Sequence, residues 1–131
     1  MSRRNTRKNA FYLLFQLDFV PPDEKEESKR IFFEQLENPE QLDLDYIQQT
    51  VEGVLLHKDE IDAMIDQVAV GWSTLRMNKV DLAILRLAIY EMRFSQETPQ
   101  KVAINEAVEL AKKFSSDEAP SFINGILGKL S

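Results

Sequence analysis

The sequence predicts an all-α protein, and three observations carry that prediction. Apolar residues recur at helical spacing along nearly the whole chain. Only 4 glycines interrupt the 131 residues. No stretch shows the sustained alternation and β-branched enrichment of a strand. The expected architecture is about seven helices in one domain, residues 1–131, around a buried central helix.

The first helix is expected from about Arg4 to Phe19, stopping before Pro21-Pro22 because the residue preceding a proline is pushed out of the helical region. A second begins near Asp23-Glu24, acids suited to a helix N-terminus, and runs through Ile31, Phe32 and Leu36 to Asn38-Pro39. A third starts near Asp43 or Asp45 and uses Ile47, Val51, Val54 and Leu55. Around His57-Lys58 the apolar phase shifts into a short helix with Ile61, Met64, Ile65 and Val68. From about Asn78 to Phe94 almost no polar face remains, which marks a helix buried among others, with Arg86 and Glu91 as its exceptions. Thr98-Pro99 opens the next helix, whose inward stripe is Ala103, Ala107, Leu110, Ala111 and Phe114. Pro120 begins the last, with Phe122, Ile123, Ile126 and Leu127 inward. Gly125 sits mid-helix there, for which close approach of another helix is the simplest reason.

Composition narrows the chemistry. There is no cysteine, which rules out disulfides, thiolate metal sites and cysteine nucleophiles, and fits a reducing cytoplasm. The apolar runs are too short or too broken by charge for an export signal or a membrane span, which needs roughly 20 residues. A net charge of −6 argues against nucleic acid when taken alone, but its distribution does not. Residues 1–17 carry four bases and no acid, whereas Asp18 to Asp66 holds fifteen acids against four bases. A local basic patch on an acidic body steers an anionic ligand to one place.

On a helical wheel Ala10, Leu13, Leu14 and Leu17 share the core-facing stripe of the first helix. Arg4, Arg7, Lys8, Phe11 and Phe15 follow one another along the adjoining flank, a strip that can be partly exposed. Cations neutralise phosphates and aromatic faces stack unpaired bases, so the combination suits single-stranded RNA. A core pair of phenylalanines beside a solvated basic terminus fits the same spacing. The cations sit in the first turn, where they oppose the helix dipole.

A search for catalytic groups finds none. The lone His57 lies at a helix junction and reads as a helix-end or surface residue. The spacings of Glu106 with Glu109, and of Asp59, Asp62 and Asp66, fit solvated helix faces. Gly125-Ile126-Leu127-Gly128-Lys129 lacks the preceding strand and spacing of a phosphate loop. The chain reads as non-enzymatic, with no cofactor and no metal site.

Three stretches together resemble the NusB family of transcription antitermination factors. They are Arg3-Arg4-Asn5-Thr6-Arg7 leading to Ala10 and Leu14-Phe15-Gln16, then Val80 to Glu91, and then Pro99 with Val102 to Lys112, closing on Phe122 to Leu127. The resemblance covers the chain from end to end. It implies two perpendicular three-helix bundles. It also implies that the protein, with the small-subunit ribosomal protein NusE, holds boxA RNA of nascent ribosomal RNA transcripts to the RNA polymerase antitermination complex. By position it implies an RNA surface of Arg3, Arg4, Arg7, Lys8, Phe15, Arg86, Glu118 and Phe122, and NusE contacts at Asp81 and Arg76. Read from its residues alone, Arg86 must reach a helix end, a phosphate or an acid such as Glu91 or Glu106. Asn105, Glu106 and Asn124 read as packing and interhelical hydrogen-bonding residues.

Three positions depart from the family pattern: Leu82 where relatives often carry a base, Ser115 where a glycine commonly follows the phenylalanine, and Gly128 in place of a frequent acid. A related helical domain occurs at the N-terminus of certain rRNA cytosine methyltransferases, and the end of this sequence at Ser131 is expected to mark the free-standing factor instead. The competing functional reading is a helical protein-interaction module whose acidic segment meets a basic partner without RNA. Monomer and homodimer both stay open, since an apolar RNA-binding face can also pair with itself.

Overall fold

The computed structural model describes every residue of the chain except Gln96. The described residues form seven α-helices, with no strand among them: α1 (Arg3–Leu17), α2 (Lys25–Glu34), α3 (Gln41–Leu56), α4 (Lys58–Val68), α5 (Lys79–Arg93), α6 (Gln100–Phe114) and α7 (Ala119–Leu130). A 3-10 turn at Pro22–Glu24 precedes α2. The all-α expectation holds. The chain divides into two compact units, Met1–Glu52 and Gly53–Ser131.

In the first unit, Ser2 caps α1 by accepting the Asn5 backbone N–H at 3.1 Å. The predicted stripe of Ala10, Leu13, Leu14 and Leu17 is buried. Burying each leucine contributes about 1.5–3 kcal/mol. The helix stops at Leu17, two residues short of the expected Phe19. The N–H groups of Asp18, Phe19 and Val20 turn back to the carbonyls of Phe15, Gln16 and Leu17 at 3.3, 3.1 and 3.2 Å, tightening the end before the prolines. Lys25 Nζ donates to the Leu17 carbonyl at 2.9 Å, a cation on the negative end of the helix. None of the residues of α2 is fully buried, and Ile31 is exposed. The helix also ends at Glu34, short of the expected Asn38-Pro39, and Asn38 takes a left-handed φ of 45° in the turn that follows. At the start of α3 Asp43 Oδ2 accepts the Glu40 backbone N–H at 2.9 Å, the arrangement of a capping box. That bond, with the terminal ammonium and Arg3 nearby, holds the Asp43 carboxyl below the usual carboxylate range.

In the second unit α5 is the buried helix the sequence predicts: every residue from Asp81 to Ile89 is buried. Helix α6 buries Leu110 with Ala103, Ala107 and Ala111, three small residues that let a neighbour approach closely, and α7 buries Ile123, Ile126, Leu127 and Leu130. Arg93 Nη2 donates to the Leu130 carbonyl at 2.7 Å, closing the end of α7. His57 occupies the N-cap position of α4. Its ring stacks on Phe94 at 4.0 Å and 14°, and Nδ1 lies 3.1 Å from Glu60 Oε1. The helix-junction reading of His57 holds.

The close approach expected at Gly125 is not there. A Cβ at Gly125 would meet nothing within 4 Å, and both Gly125 and its neighbour Asn124 are exposed. Asn105 is exposed as well. The glycine that does serve a close approach is Gly53 in α3, where a Cβ would fall on the Tyr90 ring.

Candidate nucleic-acid interface

The first unit carries the basic end of α1. Arg3 and Arg4 are exposed and Lys8 is half-buried. The Arg3 guanidinium lies over the Tyr46 ring, 3.9 Å from its centroid, which presents the cation in a fixed place. The first turn holds no acid of its own, and Asp43, beside the terminal ammonium at 3.3 Å, offsets part of the positive charge that its cations and N–H groups set up.

The flank drawn from the helical wheel needs correction. Arg7 is only 4% exposed and Phe11 2%. Arg7 lies three and seven residues before Ala10 and Leu14, and Phe11 lies four after Arg7 and three before Leu14, the i, i+3, i+4 and i+7 spacing that turns a side chain inward. What remains is a row of rings graded from core to solvent. Phe11 and Phe15 have centroids 6.3 Å apart, and Phe15 meets Phe19 edge-on at 5.1 Å. Phe15 is half-buried and Phe19 exposed. The sequence reading passed over Phe19, although the i+4 step from Phe15 continues through it.

The second unit carries a cleft of about 440 Å³. One wall comes from the α4–α5 connection and the start of α5, with Trp72, Arg76, Met77, Asn78 and Asp81. The other comes from the approach to α7, with Ser116, Glu118, Ala119 and Phe122. Four of the residues implied by the family resemblance therefore converge here: Arg76, Asp81, Glu118 and Phe122. Arg76 and Glu118 are exposed, and Phe122 is half-buried.

Asp81 is buried, and its carboxylate accepts two side-chain hydrogen bonds. It accepts the Ser115 hydroxyl at 2.5 Å and the Asn78 amide at 3.1 Å, while its own backbone N–H donates to Asn78 Oδ1 at 2.8 Å. Ser115 has extended backbone (φ −122°, ψ −169°) that any residue can adopt. Its hydroxyl ties the end of α6 to the start of α5.

Arg86 stands in a different setting. It is 9% exposed, and its Nε and Nη2 both donate to the Asp62 carboxylate at 2.8 Å. That carboxylate lies on α4, a partner the sequence reading did not name. Asp62 and Asp66 are thus structural acceptors and do not belong to a merely solvated face, since Asp66 takes the Thr74 backbone N–H at 2.7 Å. Leu82, at the position where relatives often carry a base, is buried.

A family model described as the NusB family matches residues 4–131. The chain belongs to the NusB family. The match of the family model runs through both compact units. The chain is 45% identical over 129 residues to the transcription antitermination protein NusB of Agathobacter rectalis, covering 98% of each chain. It is 49% identical over 130 residues to that of Acetivibrio thermocellus, covering 99% of this chain and 88% of the relative. Among solved structures, T. maritima NusB superposes with a TM-score of 0.87 at 31% identity, over 99% of this chain and 90% of that one. A structure of the antitermination factors NusB and NusE in complex with double-stranded RNA matches with a TM-score of 0.81 at 27% identity, over 98% and 94%. Of the described residues, no helix is long and apolar enough to cross a membrane.

Beside Phe19, the sequence reading missed Trp72 and Tyr46. Trp72 is the only tryptophan of the chain, a signal that was available. Tyr46 had none, because its pairing with Arg3 joins residues 43 positions apart.

Proposed function

We propose that this chain is a non-catalytic, cytoplasmic transcription antitermination factor that binds boxA-like RNA of ribosomal RNA transcripts together with NusE and holds it to the elongating polymerase complex. The observation that carries the reading is the end-to-end match to NusB proteins, including the NusB of the complex with NusE and RNA. Because the family match is continuous across both units, we read residues 1–131 as one functional domain.

The residues divide by exposure. Arg3, Arg4 and Lys8 supply phosphate contacts, and Phe15 with Phe19 supplies aromatic faces for bases. Glu118 and Phe122 offer the same kind of pairing in the cleft, with the carboxylate as acceptor for base amino groups. Arg7 and Arg86 are buried, and Arg86 ties α5 to α4 through Asp62. Arg76 and Asp81 form the NusE side, Arg76 by contact and Asp81 by shaping the start of α5. The acidic body keeps anionic RNA from binding elsewhere.

Isothermal titration with boxA-like RNA tests the reading. The protein alone should bind weakly, NusE should raise the affinity at least tenfold, and affinity should fall as salt rises, because released counterions dominate phosphate contacts. No gain on adding NusE would overturn the proposal.

A further inference from the structure

The connection between α4 and α5, residues 69–78, presents large apolar groups to solvent: Val70 is 85% exposed, Trp72 53% and Leu75 96%. Untethered, such a segment lowers its free energy by folding those groups onto the nearest surface. Two side chains hold it in place. Asp66, in the last turn of α4, reaches eight residues ahead: Oδ1 accepts the Thr74 backbone N–H at 2.7 Å and Oδ2 accepts the Thr74 hydroxyl at 3.2 Å. Lys129 of α7 donates to the Val68 carbonyl at 3.2 Å, where α4 ends.

Between these ties the backbone turns through Gly71 at φ 81°, a left-handed conformation without penalty for glycine. Trp72 N–H returns to the Ala69 carbonyl at 3.1 Å, and Arg76 N–H to Ser73 at 3.0 Å. Trp72, Arg76, Met77 and Asn78 then stand as one wall of the cleft. Asp66 itself is not part of that wall. It acts on the wall through Thr74, by a charge-assisted bond to backbone that a neutral acceptor would make more weakly.

We infer that Asp66 is a positioning residue for the partner-binding face, presetting the 69–78 connection in the conformation that docks NusE. The inference rests on the reading proposed above. Its physical basis is that a partner binds only the fraction of molecules already in the competent conformation, so loosening the connection raises the apparent Kd by the inverse of that fraction.

Two measurements on the full chain test it. Titration with NusE should show Asp66→Ala weakening binding about three- to tenfold. Asp66→Asn should recover most of the loss, because its amide oxygen still accepts the Thr74 N–H. The thermal midpoint of both variants should stay within about 2 °C of wild type, as Asp66 is exposed. Hydrogen exchange on the protein alone should show the Thr74 amide exchanging faster in Asp66→Ala by a similar factor. Wild-type affinity in Asp66→Ala, or unchanged Thr74 exchange, overturns the inference while leaving the NusE reading intact. Failure of the wild-type chain to bind NusE overturns both.

Discussion

Replacing Asp62 with alanine removes two hydrogen-bond acceptors from the Arg86 guanidinium, and the cost can be worked from the geometry. The two bonds are 2.8 Å long and bidentate, and hydrogen bonds to charged groups contribute about 1.5–3 kcal/mol each. Losing one partner of a fully buried pair costs about 3–5 kcal/mol. Here the Arg86 side chain is 11% exposed but that of Asp62 is 21% exposed, so water compensates part of the loss. The expected destabilisation for Asp62→Ala is therefore about 2–3 kcal/mol. At this chain length that corresponds to a fall of about 6–15 °C in Tm. Asp62→Asn keeps one acceptor and should lie between. Replacing both partners by apolar groups, Asp62→Leu with Arg86→Met, should restore much of the stability, because the guanidinium and the acceptor it would otherwise lose are removed together. Urea unfolding with unchanged m-values is the assay, and the double-mutant cycle should give a coupling of at least about 1 kcal/mol. A loss below about 0.5 kcal/mol for Asp62→Ala would refute the assignment of Arg86 to a structural pair and return it to the ligand-facing set.

Three further outcomes are expected. Gly53→Ala places a methyl on the Tyr90 ring and should cost about 1–3 kcal/mol, whereas Gly125→Ala, with nothing within 4 Å, should raise stability by about 0.5–1 kcal/mol; opposite shifts in Tm check the pair. Arg4→Ala should weaken RNA binding and reduce the slope of log K against log salt by about 0.7–0.9 with little change in Tm, while the buried Arg7→Ala should lower Tm by several degrees; equal Tm changes would contradict the distinction. Asp43 has its pKa depressed in the folded chain, so its contribution is present above the unfolded carboxylate range and is lost as pH falls through the lower folded value; Asp43→Asn should be less stable than wild type at neutral pH, with the gap closing below about pH 4 in acid titrations followed by circular dichroism.

The fold was legible because helical periodicity and proline punctuation are local signals. The α5 segment announced its burial through an unbroken apolar run, and Pro21-Pro22 and Pro120 marked real boundaries. The site was legible only where a side chain's fate follows from its own helix. Arg3 and Arg4, in the first turn of α1, are exposed. Arg7 is not, because the width of the buried arc on α1 is set by what packs against it, and a wheel carries no such information. Arg86 required a helix end, a phosphate or an acid, and the sequence reading named Glu91 and Glu106 among the acids. It did not name Asp62, which lies 24 residues away on α4, a pairing that only tertiary packing reveals. Gly125 was misread for a related reason: a glycine in a helix records freedom from a penalty as readily as the need for a close neighbour.

The placement of Trp72 has a practical consequence. The chain has one tryptophan, and it stands half-exposed in the wall of the cleft. Selective excitation of that indole therefore reports on this face alone, against three tyrosines elsewhere that contribute little at the red edge. The protein carries its own unlabelled optical reporter, so a blue shift on addition of a partner would signal dehydration of the α4–α5 connection, and quenching by acrylamide would measure how far it is covered.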